Sequence, residues 1–129
     1  MSSDQKHHEE VVYGLFRQLE EILNSSEQAI YIYLDDIHRI CNDRFASLLG
    51  YDSSEEWTKK EDFADLVADS KSLQNLNSAY QDAILKKIGS TINVKWKKKS
   101  KDTVETTVII VPISYEQHLL TLQFISEKK

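Results

Sequence analysis

The sequence predicts one α+β domain, in which a small antiparallel sheet cups several helices. Three observations carry that expectation. Residues 8–23 repeat apolar groups at helical spacing, the middle alternates short strands with capped helical turns, and residues 92–125 read as strand.

In the first segment, about His8 to Leu23, a turn of roughly 100° per residue gathers Val11, Val12, Leu15, Phe16, Leu19, Ile22 and Leu23 into one broad arc. Glu10, Arg17, Gln18 and Glu21 take the other side, and Asn24-Ser25-Ser26 ends the helix. Val12, Leu15, Leu19 and Ile22 are spaced 3, 4 and 3, a heptad-like run that makes them candidates for a homodimer interface. The arc is wider than such a seam requires. One helix is therefore expected to meet both its own sheet and a twin.

Ala29 to Leu34 alternates as a strand, with Ile30, Ile32 and Leu34 on one face and Tyr31 and Tyr33 on the other. Asp35-Asp36 turns the chain into a short strand ending at Cys41. Asn42 is placed as the N-cap of a short helix that Gly50 stops. Ser53-Ser54-Glu55-Glu56 reads as a capping box ahead of Trp57, and Phe63, Leu66 and Val67 follow as a further turn. Asp69 or Ser70 opens the second long helix. Leu73, Leu76, Tyr80, Ala83, Ile84 and Ile88 are expected on its buried side, with Asn77 in the same arc and Gly89 as the stop.

Ile92, Val94 and Trp96 then alternate with Asn93, Lys95 and Lys97, and Ser100-Lys101-Asp102 turns the chain. Val104 to Ile113 and Leu119 to Ile125 complete the strands, with a turn around residues 114–117. Val108-Ile109-Ile110-Val111 is apolar on both faces, so something must cover the far side of the sheet. The N-terminal helix has the surface to do so.

The 129 residues suit one domain, and 40% hydrophobic with 29% charged residues is an ordinary globular composition. No apolar run approaches a membrane span. The polar first ten residues do not look like a secretory signal, and a lone cysteine, Cys41, makes no internal disulfide. A cytoplasmic protein is expected. The net charge of −5 argues against generic nucleic-acid binding.

The stretch Cys41-Asn42-Asp43-Arg44-Phe45-Ala46-Ser47-Leu48-Leu49-Gly50-Tyr51 resembles the strand-to-helix element of the PAS (Per-Arnt-Sim) domain family. Ser53-Ser54-Glu55-Glu56-Trp57, Ile88-Gly89, the Lys-rich hairpin and Val111-Pro112-Ile113 follow in the family's order. The resemblance covers Gln28 to Ser126. It divides the chain into a flanking amphipathic helix, 1–27, and a PAS domain, 28–129. It implies a five-stranded antiparallel sheet in the order 2-1-5-4-3, with helices on one face and the flanking helix on the other.

The resemblance also implies a sensory or regulatory module, without catalysis, that binds a small ligand or a protein partner and homodimerises. A ligand-free interaction domain with a packed core is the alternative, and a small cupped-sheet isomerase or dehydratase comes last. On the family's geometry Ile32, Leu34 and Leu122 stand among the sheet-side walls of a cavity. Asn42, Phe45, Asn77, Tyr80 and Trp96 are the candidates for ligand contact. Each has a plainer role available: cap, margin or core.

The flavin-type reactive cysteine of this family sits in an Asn-Cys-Arg-Phe motif that Cys41 does not match, and residues 70–88 hold no histidine to ligate haem. The cofactor is left unknown. His7-His8 and Asp35-Asp36 are weak metal candidates, better read as a helix end and a turn; Lys95, Lys97, Lys98, Lys99 and Lys101 read first as a protected hairpin.

Overall fold

Alternation along each strand sorts the apolar residues onto two sheet faces, and the two faces receive different partners. The computed structural model describes residues 2–35, 38–60 and 63–128, with residues 2–6 and 8 as backbone only. Helix α1 (Ser2–Ser25) precedes β1 (Ala29–Asp35) and β2 (His38–Cys41). Helices α2 (Asp43–Leu48) and α3 (Ser54–Thr58) follow, then a 3₁₀ turn (Phe63–Leu66) and α4 (Ser70–Gln81), which runs into a π-helical turn (Asp82–Lys86). Strands β3 (Ser90–Lys97), β4 (Thr103–Tyr115) and β5 (His118–Glu127) complete the chain. All pair antiparallel in the order β2-β1-β5-β4-β3, as expected.

The inner face presents Tyr31, Cys41, Val94, Trp96, Val108, Ile110 and Ile125 to Phe45, Leu49, Trp57, Phe63 and Leu76. The outer face presents Ile30, Ile32, Leu34, Ile40 and Leu120 to Val11, Val12, Leu15 and Leu23 of α1. Each large side chain so covered contributes about 1.5–3 kcal/mol. This arrangement corrects the expected cavity walls. Ile32 and Leu34 lie under α1, with Leu122 packed beside them, and the aromatic face of β1, Tyr31 and Tyr33, turns inward instead.

Local chemistry sets the joints. Asn42 caps α2 by accepting from Phe45 N at 3.1 Å. The same helix ends in a Schellman arrangement: Tyr51 N donates to Ala46 O, Gly50 N donates to Ser47 O, and Gly50 takes φ +82°. Ser53 Oγ caps α3 by accepting from Glu56 N, while Glu56 reaches back to Asp52 N rather than to Ser53 N. Asp69 caps α4 through Ser72 N at 2.8 Å.

The far end of α4 departs from expectation. The helix widens into the π turn, and Lys87, at φ 57°, ends it before Gly89. Gly89 serves close approach: a Cβ there would lie 3.0 Å from Ile110 O. Ile88, expected on the buried side, is consequently 51% exposed. At the last hairpin, Glu116 and Gln117 both adopt positive φ, the geometry of a tight two-residue turn.

Helix α1 covers less than expected. It lies over β1 and β2 and leaves Ile109, on the outer face of β4, 46% exposed. Of the four heptad-like residues, Val12 and Leu15 are buried against the chain's own sheet, Leu19 is half-buried there, and Ile22 is 63% exposed. The sheet takes three of the four because the arc is broad enough to put them over β1 and β2, and the helix end leaves Ile22 beyond that contact.

Candidate functional site

Inside the cup, aromatic side chains occupy most of the space between sheet and helices. Tyr31 stacks on Phe45 with centroids 5.1 Å apart and meets the edges of Trp57 and Trp96 at 5.3 and 5.7 Å. Phe45 in turn meets Trp57 at 4.9 Å and Trp96 at 5.3 Å. What remains is a slot of about 20 Å³, lined by Tyr31, Tyr33, Phe63, Leu76, Asn77, Tyr80 and Gln123. By the same measure one water needs about 10–15 Å³. A flavin or haem does not fit in it.

Two of the five candidate contacts, Asn77 and Tyr80, come together at this slot; three do not. Asn77 stands exposed at the rim, and Tyr80 donates its hydroxyl to Leu34 O at 2.8 Å. Phe45 is in the packed aromatic cluster. Trp96 donates from Nε1 to Thr106 Oγ1 at 3.0 Å, so its polar tip is satisfied by the sheet. Asn42 is a structural hub: Oδ1 accepts from Ile30 N and Phe45 N, each at 3.1 Å, while Nδ2 donates to Leu23 O and Gln28 O at 3.1 and 2.9 Å.

Tyr31 and Gln123, which the sequence reasoning missed, supply the slot's buried polar groups. They face each other across β1 and β5. Among the described residues neither Tyr31 Oη nor Gln123 Oε1 has a hydrogen-bond partner in standard geometry, although both side chains are buried. Burial is the largest cause and raises the Tyr31 pKa well above the ordinary phenol value, while Arg39 and the Gln123 side chain opposite lower it. Strand parity held the signal. Once Cys41 and Ala29 are assigned inward, Tyr31 follows, and its register partner Gln123 with it.

Arg39 was also not anticipated. It points inward from β2, donates to Trp57 O at 3.1 Å and Lys60 O at 2.6 Å, and sits 4.8 Å over the Trp57 ring. Its guanidinium thus fastens the end of α3, where carbonyls need donors. Cys41 is buried beside it, with its thiol pushed up to about 12 by burial and by Asp43. An inert, structural thiol results.

The remaining polar candidates resolve into local roles. Lys99 pairs with Glu56 at 2.7 Å and Asp52 at 3.6 Å, and its N–H donates to Leu49 O, so the basic hairpin docks on the α2–α3 joint. Lys95 lies 3.8 Å from Glu105. Asp35 accepts from His38 N at 2.8 Å, as a turn residue does; Asp36 lies outside the described residues. The His7 ring lies 4.8 Å from His118, and the side chain of His8 is not among those described. Among the described residues no group of three or more His, Cys, Asp or Glu is placed to hold a metal ion, and no helix is long and apolar enough to cross a membrane. Wider depressions of about 310 and 510 Å³ lie outside, between α1 and the β2–α3 side, and carry charges of both signs.

A PAS domain family model matches residues 17–82, just over half of the chain. The chain belongs to the PAS domain family. Solved PAS structures carry the likeness over the rest of the fold. The PAS domain of a two-component sensor histidine kinase superposes with a TM-score of 0.67 at 15% identity, covering 88% of this chain and 96% of that one. The PAS domain of an HTR-like protein from Haloarcula marismortui gives 0.66 at 17% identity, covering 95% and 99%. A PAS domain, in complex with ethanol, of a LuxR-family transcriptional regulator from Burkholderia thailandensis gives 0.65 at 9% identity, covering 84% and 95%. At such identities the likeness is one of fold. No curated protein matches the chain in sequence.

Proposed function

We propose that this PAS domain is a regulatory module that signals as a homodimer, joined through the half of its outer sheet face that α1 leaves open. The observation that carries this is a run of apolar residues on the outer sheet face that the chain itself covers only in part. Ile109 and Ile22 are among the most exposed large apolar side chains, and Val111, Leu122 and Phe124 are half-buried. Phe124 lies directly between Ile109 and Ile30 in the sheet register, and Val111 lies opposite Leu122. Contiguous apolar surface rimmed by polar groups (here Thr107, Asn93 and Lys95) is what a partner covers. A second copy related by a two-fold axis brings the same patch, which makes the contact self-complementary.

The regulator and kinase settings of the related PAS domains support a sensory role. The aromatic packing favours a second reading beside it, an interaction domain whose interior takes no large ligand. An acid–base enzyme finds less support, since among the described residues the slot's lining has no Asp, Glu or His.

Sedimentation velocity tests the pairing. The unmodified chain should run as a dimer, and Ile109→Glu, on an exposed position, should run as a folded monomer. A dimer unchanged in both Ile109→Glu and Ile22→Glu would move the interface elsewhere. Native mass spectrometry of freshly prepared protein separates the two readings of the interior. A reproducible mass of a large ligand would refute the packed-core reading.

A further inference from the structure

Two histidines far apart in the sequence meet where α1 passes the end of the β4–β5 hairpin. His118 opens β5 and, by strand parity, shares the outer sheet face with Leu120. His7, Val11 and Gly14 fall on one side of α1, at helical spacings of four and three. Val11 is buried in the outer layer, and Gly14 passes so close to the hairpin that a Cβ there would lie 2.9 Å from Tyr115 Oη. Tyr115 is the register partner of His118. That close approach sets the height of α1 above the strands. Two turns earlier on the same side, the His7 ring comes to 4.8 Å from the His118 ring, with 56° between their planes.

The chemistry of this pair is that of two metal ligands. His118 Nδ1 lies 2.9 Å from Glu116 O. A carbonyl only accepts, so Nδ1 carries the proton and Nε2 of the neutral ring keeps its lone pair. A backbone carbonyl on the second ring nitrogen is a common way to orient a ligating histidine. The two-residue turn, with Glu116 and Gln117 both at positive φ, holds that carbonyl in place. The spacing fits as well. With a metal–nitrogen bond of about 2.0–2.1 Å and about 1.1 Å from nitrogen to ring centre, two imidazoles on one ion have centroids about 4.5 Å apart at a right angle and about 5.2 Å apart at the tetrahedral angle. The observed 4.8 Å falls between these limits.

We propose that His7 and His118 bind one divalent transition-metal ion of the zinc class and so clip α1 to the β4–β5 hairpin. Neutral imidazoles suit zinc, copper or nickel, whereas magnesium and calcium require oxygen ligands. Water completes the coordination, since among the described residues no group of three or more ligating side chains is assembled. The site lies within one chain, so it goes beyond the homodimer reading and stands without it. Its consequence is that the docking of the N-terminal half of α1 on the sheet depends on metal supply.

The test is a titration of the full chain with zinc chloride, followed by NMR at the histidine ring protons. Saturable one-to-one shifts at His7 and His118 are expected, and magnesium chloride should give none. Hydrogen exchange at the amides of residues 7–14 should slow with zinc and regain its rate on adding EDTA. His7→Ala and His118→Phe should each weaken zinc binding about tenfold or more. His7 is exposed, so its removal leaves the fold intact, and His118→Phe keeps a ring against α1 while deleting the lone pair. His8→Ala should bind zinc as the unaltered chain does. Zinc binding that survives His118→Phe, or that is lost in His8→Ala, would place the ion at the helix end and overturn the clip. One ion per two chains, or shifts that grow linearly with zinc, would overturn it as well.

Discussion

Replacing Asn42 with alanine removes four hydrogen bonds at the place where three elements meet. Its side chain caps α2 through Phe45 N, holds Ile30 N at the start of β1, and donates to Leu23 O at the end of α1 and to Gln28 O. Loss of the cap costs about 1 kcal/mol. The Ile30 N–H and the Leu23 carbonyl are left buried without their partner, at about 1 kcal/mol or more each. Gln28 O is partly reached by solvent and adds little. The sum, about 3–4 kcal/mol, is a large share of a total stability of about 5–15 kcal/mol. Urea unfolding followed by tryptophan fluorescence should show the midpoint fall with an unchanged slope. Hydrogen exchange should quicken most at Ile30 and Phe45, the two amides that lose an acceptor. Asn42→Asp keeps the acceptor oxygen but sets a carboxylate against two carbonyls, so it should retain the cap and still loosen α1. A loss below about 1 kcal/mol in Asn42→Ala would refute the hub reading, because the cap alone accounts for that much.

Two further outcomes follow from the burial of the two sheet faces. Burial raises the Cys41 thiol to about 12, above its ordinary value of 9.0. The unfolded chain therefore loses this proton first as pH rises, and the contribution is intact below about 9 and lost between there and about 12. Alkaline unfolding should be shallower in Cys41→Ala, relative to its own stability at neutral pH, and an identical alkaline slope in both proteins would contradict the burial argument. Deleting residues 1–24 uncovers Ile30, Ile32, Leu34, Ile40 and Leu120, so the truncated chain should aggregate or bind a hydrophobic dye; a soluble, equally stable product in light scattering would overturn the role given to α1.

Much of this fold was legible because its signals are short-range. Asn42, Ser53 and Asp69 announce helix starts through side chains that reach amides three residues on, and Gly50 announces a stop through its own backbone freedom. Where the signal needed a distant partner, the reading failed. Gly89 has the composition of a helix stop, but Lys87 ends the helix, and Gly89 answers to the carbonyl of Ile110 on another element. Ile22 shares the apolar arc of Leu15, and only the position of the sheet beneath distinguishes them.

The sequence by itself determined the elements, their order and the existence of two apolar sheet faces, because strand alternation and helical spacing are properties of neighbouring residues. Only the tertiary structure decided which face is which. Both Ile30-Ile32-Leu34 and Tyr31-Tyr33 can lie against a hydrophobic layer, and hydrophobic burial is non-directional. Packing volume settles the choice: the rings interlock with Phe45, Trp57 and Trp96 inside the cup, and the aliphatic chains receive the flat side of α1. That assignment turns Tyr31 and Gln123 toward the slot: strand parity groups Tyr31 with its neighbours, but the inward choice of that face is tertiary.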